Sequence, residues 1–179
     1  MDPRAFKTKI DICNAIHLAE LLNLPSQKRV GIDMWDSSVG VEVKNNYDRW
    51  KPTNWAVHAD QIDGFRAVHP RKKLYWGFIR YGLRERPKDI DPDINISGLE
   101  NIITYRETWL VWWNWLRKLP VSRPRTGPYV YVGLEDFPSD ANFIKYVCGK
   151  STIYVPRRSI ELQRRIEMDN YDPETPEPF

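Results

Sequence analysis

Cysteine and histidine are scarce in this chain, and no long apolar run occurs. Its two cysteines, Cys13 and Cys148, stand far apart, make no disulfide framework and read as reduced thiols. His17, His58 and His69 have no zinc-ligand spacing to them, which argues against a structural zinc site. No stretch approaches the ~18 uncharged apolar residues of a spanning helix. The opening Met1-Asp2-Pro3-Arg4 lacks the apolar segment of a secretion signal. A soluble, cytoplasmic protein with no membrane partner is expected. The patterns G-x-x-x-x-G-K-[ST] and G-x-G-x-x-G are missing too, so no nucleotide cofactor is expected.

What is present belongs to a folded protein. Of the 179 residues, 41% are apolar and 13% aromatic, with eight Trp that are expected mainly in the core. The net charge of +3 is unevenly placed. Asp172, Glu174 and Glu177 carry −3 within the last residues, which leaves +6 on residues 1–171. A basic body with an acidic end suits a polyanionic partner. The tail Asp172–Phe179, rich in acid and proline and without aliphatic residues, is expected to be flexible and dispensable for chemistry.

Periodicity predicts a helix over 5–23, with Ile12, Ile16 and Ala19 among its apolar positions. Two strands follow, 28–34 and 39–45, joined by the turn-like Trp35-Asp36-Ser37-Ser38 as an antiparallel hairpin. Further along, 54–68 reads as a helix, 73–80 as a strand and 84–97 as a charged loop. The segment 104–119 is ambiguous. Tyr105, Trp109, Trp112 and Leu116 have helical spacing, while Trp109, Val111, Trp113 and Trp115 alternate like a strand; helix is the reading adopted. A basic loop 122–126, a strand 129–133, a short helix after Ser139, a strand 152–155 and a helix 159–167 complete the chain. This order indicates one α/β (mixed α+β) domain, a mixed sheet flanked by helices.

The informative segment is Gly31-Ile32-Asp33 followed by Gly40-Val41-Glu42-Val43-Lys44. Residues two apart on a strand share a face, so Glu42 and Lys44 project together while Val41 and Val43 pack behind them. A tight hairpin brings Asp33 back beside Glu42. Two carboxylates and an ammonium then converge, which is what metal-assisted phosphodiester hydrolysis asks for. An ordinary Glu/Lys pair on an exposed strand is the plain alternative. Asp36 is a second choice for the first carboxylate, although it falls in the turn.

The run of Asp33, Glu42, Val43 and Lys44, after one helix and before another, resembles the PD-(D/E)XK nuclease superfamily, to which many type II restriction endonucleases belong. The residue before Asp33 is Ile32 rather than Pro, a common departure. The resemblance covers residues 5–80. It implies a restriction-endonuclease-like core of order αβββαβ, with residues 81–171 adding DNA-reading or dimerisation elements. Implied with it are Mg²⁺ (or Mn²⁺ as substitute) held by Asp33 and Glu42, and Lys44 as the catalytic lysine. The expected activity is sequence-specific DNA cleavage by a homodimer near the nucleoid. A Holliday-junction resolvase or repair nuclease is the alternative within enzymes, and a non-catalytic DNA-binding protein the alternative outside them. The superfamily often adds a Glu from the first helix to the metal shell, which points to Glu20; a Glu reaching solvent is the equal alternative. Gln61 matches a Gln that some branches carry near the site, with a plain surface residue as its alternative. Phosphate contacts are expected from Asn45, Asn46 and Lys51, and from the basic runs holding Arg71, Lys72, Lys73, Arg123 and Arg125. The runs Arg84–Lys88 and Arg157-Arg158 are further candidates.

Overall fold

An apolar stripe at intervals of three to five residues gives the first helix its reason to form. In a computed structural model, which describes residues 3–26, 33–49 and 54–169, Pro3–Leu21 is helix α1. Phe6, Ile10, Cys13 and Leu18 are its buried stripe. Strands β1 (Met34–Trp35) and β2 (Val39–Tyr47) form the antiparallel hairpin, in register Met34 opposite Val41. The rest of the expected first strand, residues 27–32, lies outside the described residues. So do Lys51 and the acidic tail.

Strand β3 (Trp55–His58) and helix α2 (Ala59–Val68) lead into β4 (Lys73–Leu83), which pairs with β2 in parallel. A parallel neighbour requires a crossover, and β3 with α2 supplies it. Helix α3 (Ile96–Ile102), strand β5 (Ile103–Trp112) and a 3-10 segment Trp113–Lys118 come next. They are followed by β6 (Val121–Ser122), β7 (Tyr129–Val132), β8 (Phe143–Cys148), β9 (Ser151–Pro156) and helix α4 (Ile160–Asp169). The main sheet is mixed and six-stranded, in the order β1-β2-β4-β5-β9-β8, and β3-β7-β6 form a second sheet.

The main sheet is buried on both faces. On one face Val39, Val41, Val43, Tyr75, Ile79, Leu110, Ile153 and Val155 pack with Leu18 of α1 and with Leu162 and Ile166 of α4. Trp76, Phe78 and Val111 turn the other way, onto Trp55, Val57, Val130 and Val132 of the second sheet and Ile62 of α2. Phe137 seals this side, stacked against Trp109 at 5.1 Å and Trp115 at 5.4 Å. The Trp-rich segment is therefore part of the core in this chain. No helix among the described residues is long and apolar enough to cross a membrane.

Four local expectations need correction. Residues 103–112 are a strand rather than a helix, with Arg106, Thr108 and Leu110 buried toward α1 and Trp109 and Val111 toward the second sheet. Residues 55–58 are a strand ahead of α2, drawn out of the helix by pairing with β7. The charged loop 84–97 contains a 3-10 turn, Pro87–Asp89, and gives way to α3, capped by Asn95 through Gly98 N at 2.8 Å. After Ser139 the helix is a single 3-10 turn, and an unforeseen edge strand, β8, follows.

Candidate active site

Asp36 builds the turn that aims the candidate residues. Its Oδ1 accepts from Ser38 N (2.8 Å), Ser38 Oγ (3.0 Å) and Val39 N (2.9 Å), and Arg165 of α4 donates to Oδ2. Burial works upward on this carboxyl, but the Val39 and Ser38 N–H groups and the Arg165 guanidinium outweigh it and hold Asp36 well below the usual carboxylate range. Both oxygens are committed to the fold, which sets Asp36 aside as an alternative ligand.

The β1 pairing ends at Met34 opposite Val41, and Asp33 occupies the edge of β2 just beyond it. Its Oδ2 accepts from Val43 N at 2.7 Å. Glu42, only 6% exposed, lies on the sheet face turned away from α1. Its Oε1 accepts from Lys44 Nζ at 2.9 Å, and Lys44 sits 5.6 Å from the centre of the Trp76 ring. The other oxygen, Glu42 Oε2, is buried and has no donor among the described residues.

Burial pushes the Glu42 carboxyl up to about 8; the Asp33 carboxyl pushes it further the same way, and Lys44 opposes. Burial also raises Asp33, against the Val43 N–H, Lys44 and Glu42. Two carboxylates meeting away from water do not both stay ionised when no further cation is near, so the pair holds a proton at neutral pH.

A third carboxyl, on the α1 side of β2, lies within electrostatic reach of Asp33 at the strand edge. Asp11 of α1 is raised to about 6, by burial first and by Asp33 in addition, while Lys7, the Asn45 side chain and Lys44 pull it down. Its sequence signal is Lys7, Asp11 and Asn14 at spacings of four and three, a polar line beside the apolar stripe of α1. Glu20, chosen in its place, is exposed and not part of the cluster. Nine residues of helix put it half a turn round from Asp11 and about 13 Å further along.

Gln61 is exposed on α2, one turn before Phe65, which packs on Trp76 at 5.1 Å. The two asparagines expected to meet phosphates are instead used internally. Asn45 accepts from Asn14 and bonds Asp11; Asn46, 8% exposed, donates to Asn54 O at 3.1 Å. Lys51 lies outside the described residues. Lys72 donates to Asp36 O and lies 4.6 Å from the Trp35 ring centre, and Lys73 pairs with Glu161 at 3.2 Å. Arg71, Arg123 and Arg125 are exposed bases, the last two in the loop between β6 and β7.

Among the described residues no group of three or more His, Cys, Asp or Glu side chains is arranged to hold a metal ion. Mg²⁺, however, commonly takes only one or two carboxylates and fills its shell with water and phosphate oxygens. The Asp33–Glu42 pair fits that donor set, and the donorless Oε2 of Glu42 is an acceptor suited to a hard cation. Comparison with protein families, curated proteins and solved structures finds no match to this chain.

Proposed function

We propose that the chain is a Mg²⁺-dependent endodeoxyribonuclease of the PD-(D/E)XK type. The observation that carries the reading is the buried Glu42, with the Asp33 carboxyl and the Lys44 ammonium crowded beside it. Two carboxyls brought together away from water are costly when both are ionised, a cost accounted for if a cation occupies the site during function. The order α1, β1, β2, β3, α2, β4 supports the reading, although β3 pairs in the second sheet rather than the main one.

Asp33 and Glu42 hold the metal, which supplies Lewis acidity toward a phosphate oxygen and a more acidic water. Lys44, fixed through Glu42 Oε1 and the Trp76 face, presents a cation to the charge that develops on phosphate. Asp11 replaces Glu20 as the carboxylate from α1. Arg71, Arg123 and Arg125 are the exposed bases for backbone contacts.

Three of the five strands after β4, namely β5, β9 and β8, extend the main sheet rather than forming a separate reading module. That favours structure-dependent cleavage, of junctions or repair intermediates, as a second reading beside sequence-specific cutting by a homodimer. Supercoiled plasmid, a synthetic four-way junction and Mg²⁺ at low salt form the test. Wild type should cut, and Lys44→Ala should lose cleavage at least a hundredfold while still retarding DNA on a gel. Firm binding without cleavage by the wild type would leave a DNA-binding protein and sink the proposal.

A further inference from the structure

Arg106 of β5 is 1% exposed. A guanidinium so deep needs its donors met. Nη1 and Nη2 both donate to the Glu100 carboxylate, the first at 2.8 Å, and Nη2 also reaches Cys13 Sγ at 3.6 Å. Nε donates to Asn14 Oδ1 on α1 at 2.8 Å.

That last bond fixes a direction. An arginine has no acceptor, so Asn14 must turn its oxygen to Arg106 and its nitrogen away. Asn14 Nδ2 then donates to Asn45 Oδ1 on β2 at 2.9 Å. Asn45, with its oxygen engaged, has only its nitrogen left to turn toward Asp11, and its side chain pulls the Asp11 carboxyl down. Neither amide can flip without placing like poles together. Each step starts from a donor, and the chain ends on a carboxylate, the one acceptor that completes it.

We propose that Arg106 is a positioning residue for the candidate active site, acting through Asn14 and Asn45 to set the orientation of Asp11. This rests on the nuclease reading for its effect on rate, but not for its effect on geometry. Arg106 never approaches the reacting atoms; it decides which end of each amide faces the next. Its charge is balanced by Glu100, so the relay delivers direction rather than net charge.

Asn14→Asp separates this role from packing. The variant keeps an oxygen for Arg106 and nearly the same shape, but loses the Nδ2 donor. Asn45 then turns its nitrogen to the new carboxylate and its oxygen to Asp11. Circular dichroism should show the fold kept, while kcat on DNA falls roughly tenfold to a hundredfold with KM little changed. The Asn45 side-chain amide resonances, read by NMR without DNA or metal, should shift. Arg106→Lys, still donor-only, should retain most of the rate; Arg106→Gln, which can donate or accept, should not. Unmoved Asn45 resonances in Asn14→Asp would overturn the relay whether or not the protein cuts DNA, as would a wild-type kcat in that variant. A wild type that does not cut at all would fail the nuclease reading alone, and the resonances would still decide the relay.

Discussion

Glu42→Gln should make the metal-free protein more stable at alkaline pH, although it removes a charged partner of Lys44. The ordinary Glu value is 4.5, and burial with Asp33 nearby raises Glu42 to about 8. A raised carboxyl keeps its proton in the folded state after the unfolded chain has lost it. Its contribution is therefore fully present below about pH 4.5 and is lost as pH rises to about 8. The full difference corresponds to about 5 kcal/mol. Water entry and small movements of the edge strand relieve part of it, so a gain of about 2–3 kcal/mol is expected for the variant at pH 8.5. Gln keeps an oxygen for Lys44 Nζ, and its amide nitrogen can donate to the Asp33 carboxylate. At pH 5 both proteins carry a neutral group and should differ little. Urea unfolding followed by tryptophan fluorescence, in EDTA from pH 5 to 9, measures the difference directly. Adding Mg²⁺ should close most of the gap. At a hundred times its Kd a ligand of the folded state adds about 2.7 kcal/mol, and the variant should gain much less. A variant less stable than wild type at pH 8.5 in EDTA would refute the account of the buried, donorless carboxyl.

Two further substitutions test neighbouring parts of the structure. Asp11→Asn should lower DNA cleavage at least tenfold, while Glu20→Gln should stay within about twofold of wild type, because only Asp11 adjoins Asp33 and Lys44; equal rates in a plasmid assay would remove Asp11 from the site. Asp36→Asn should cost about 1–3 kcal/mol at pH 7, since two backbone donors and Arg165 lose their charged acceptor. That stability is present above the ordinary carboxylate range and is lost as pH falls through the lower folded value, so the gap should still be open at pH 3 and narrow only as the pH falls further in thermal melts.

The hairpin could be read in advance because its alternation survives in the structure. Val39, Val41 and Val43 point to α1, and Glu42 and Lys44 to the other side, so a period of two marks both the strand and the site. Strand β5 hides the same period because both its faces are buried. Leu110 meets the cluster under α1 while Trp109 and Val111 meet the second sheet. The tryptophans then seem spaced for a helix, and the 3-10 turn at Trp113–Lys118 lends that spacing a real helical end. Arg106 disguises the strand further, since a charge at a core position reads as exposure until Glu100 and Asn14 are known to meet it. Strand β3 was taken into α2 because four residues are too few to show a period, and its partner β7 lies far along the chain.

Choosing Glu20 over Asp11 has a related physical cause. An acidic residue on a helix is tolerated inside a fold only where something donates to it, and no spacing within the helix reveals that donor. Asp11 finds Asn45, which comes from a strand packed beside the helix and is itself turned by Asn14 and Arg106. Glu20 has Cys13, Ile16 and Leu24 near it at helical spacing, where a carboxylate carries an apparent cost. In the folded chain it is avoided by exposure, the simpler solution. Inward-facing carboxylates are therefore better sought as acceptors awaiting a donor chain than as acids set in an apolar stripe. Asn14 and Asn45, polar residues on a helix and a strand that otherwise turn apolar side chains toward each other, were the available sign that such a chain crosses the core.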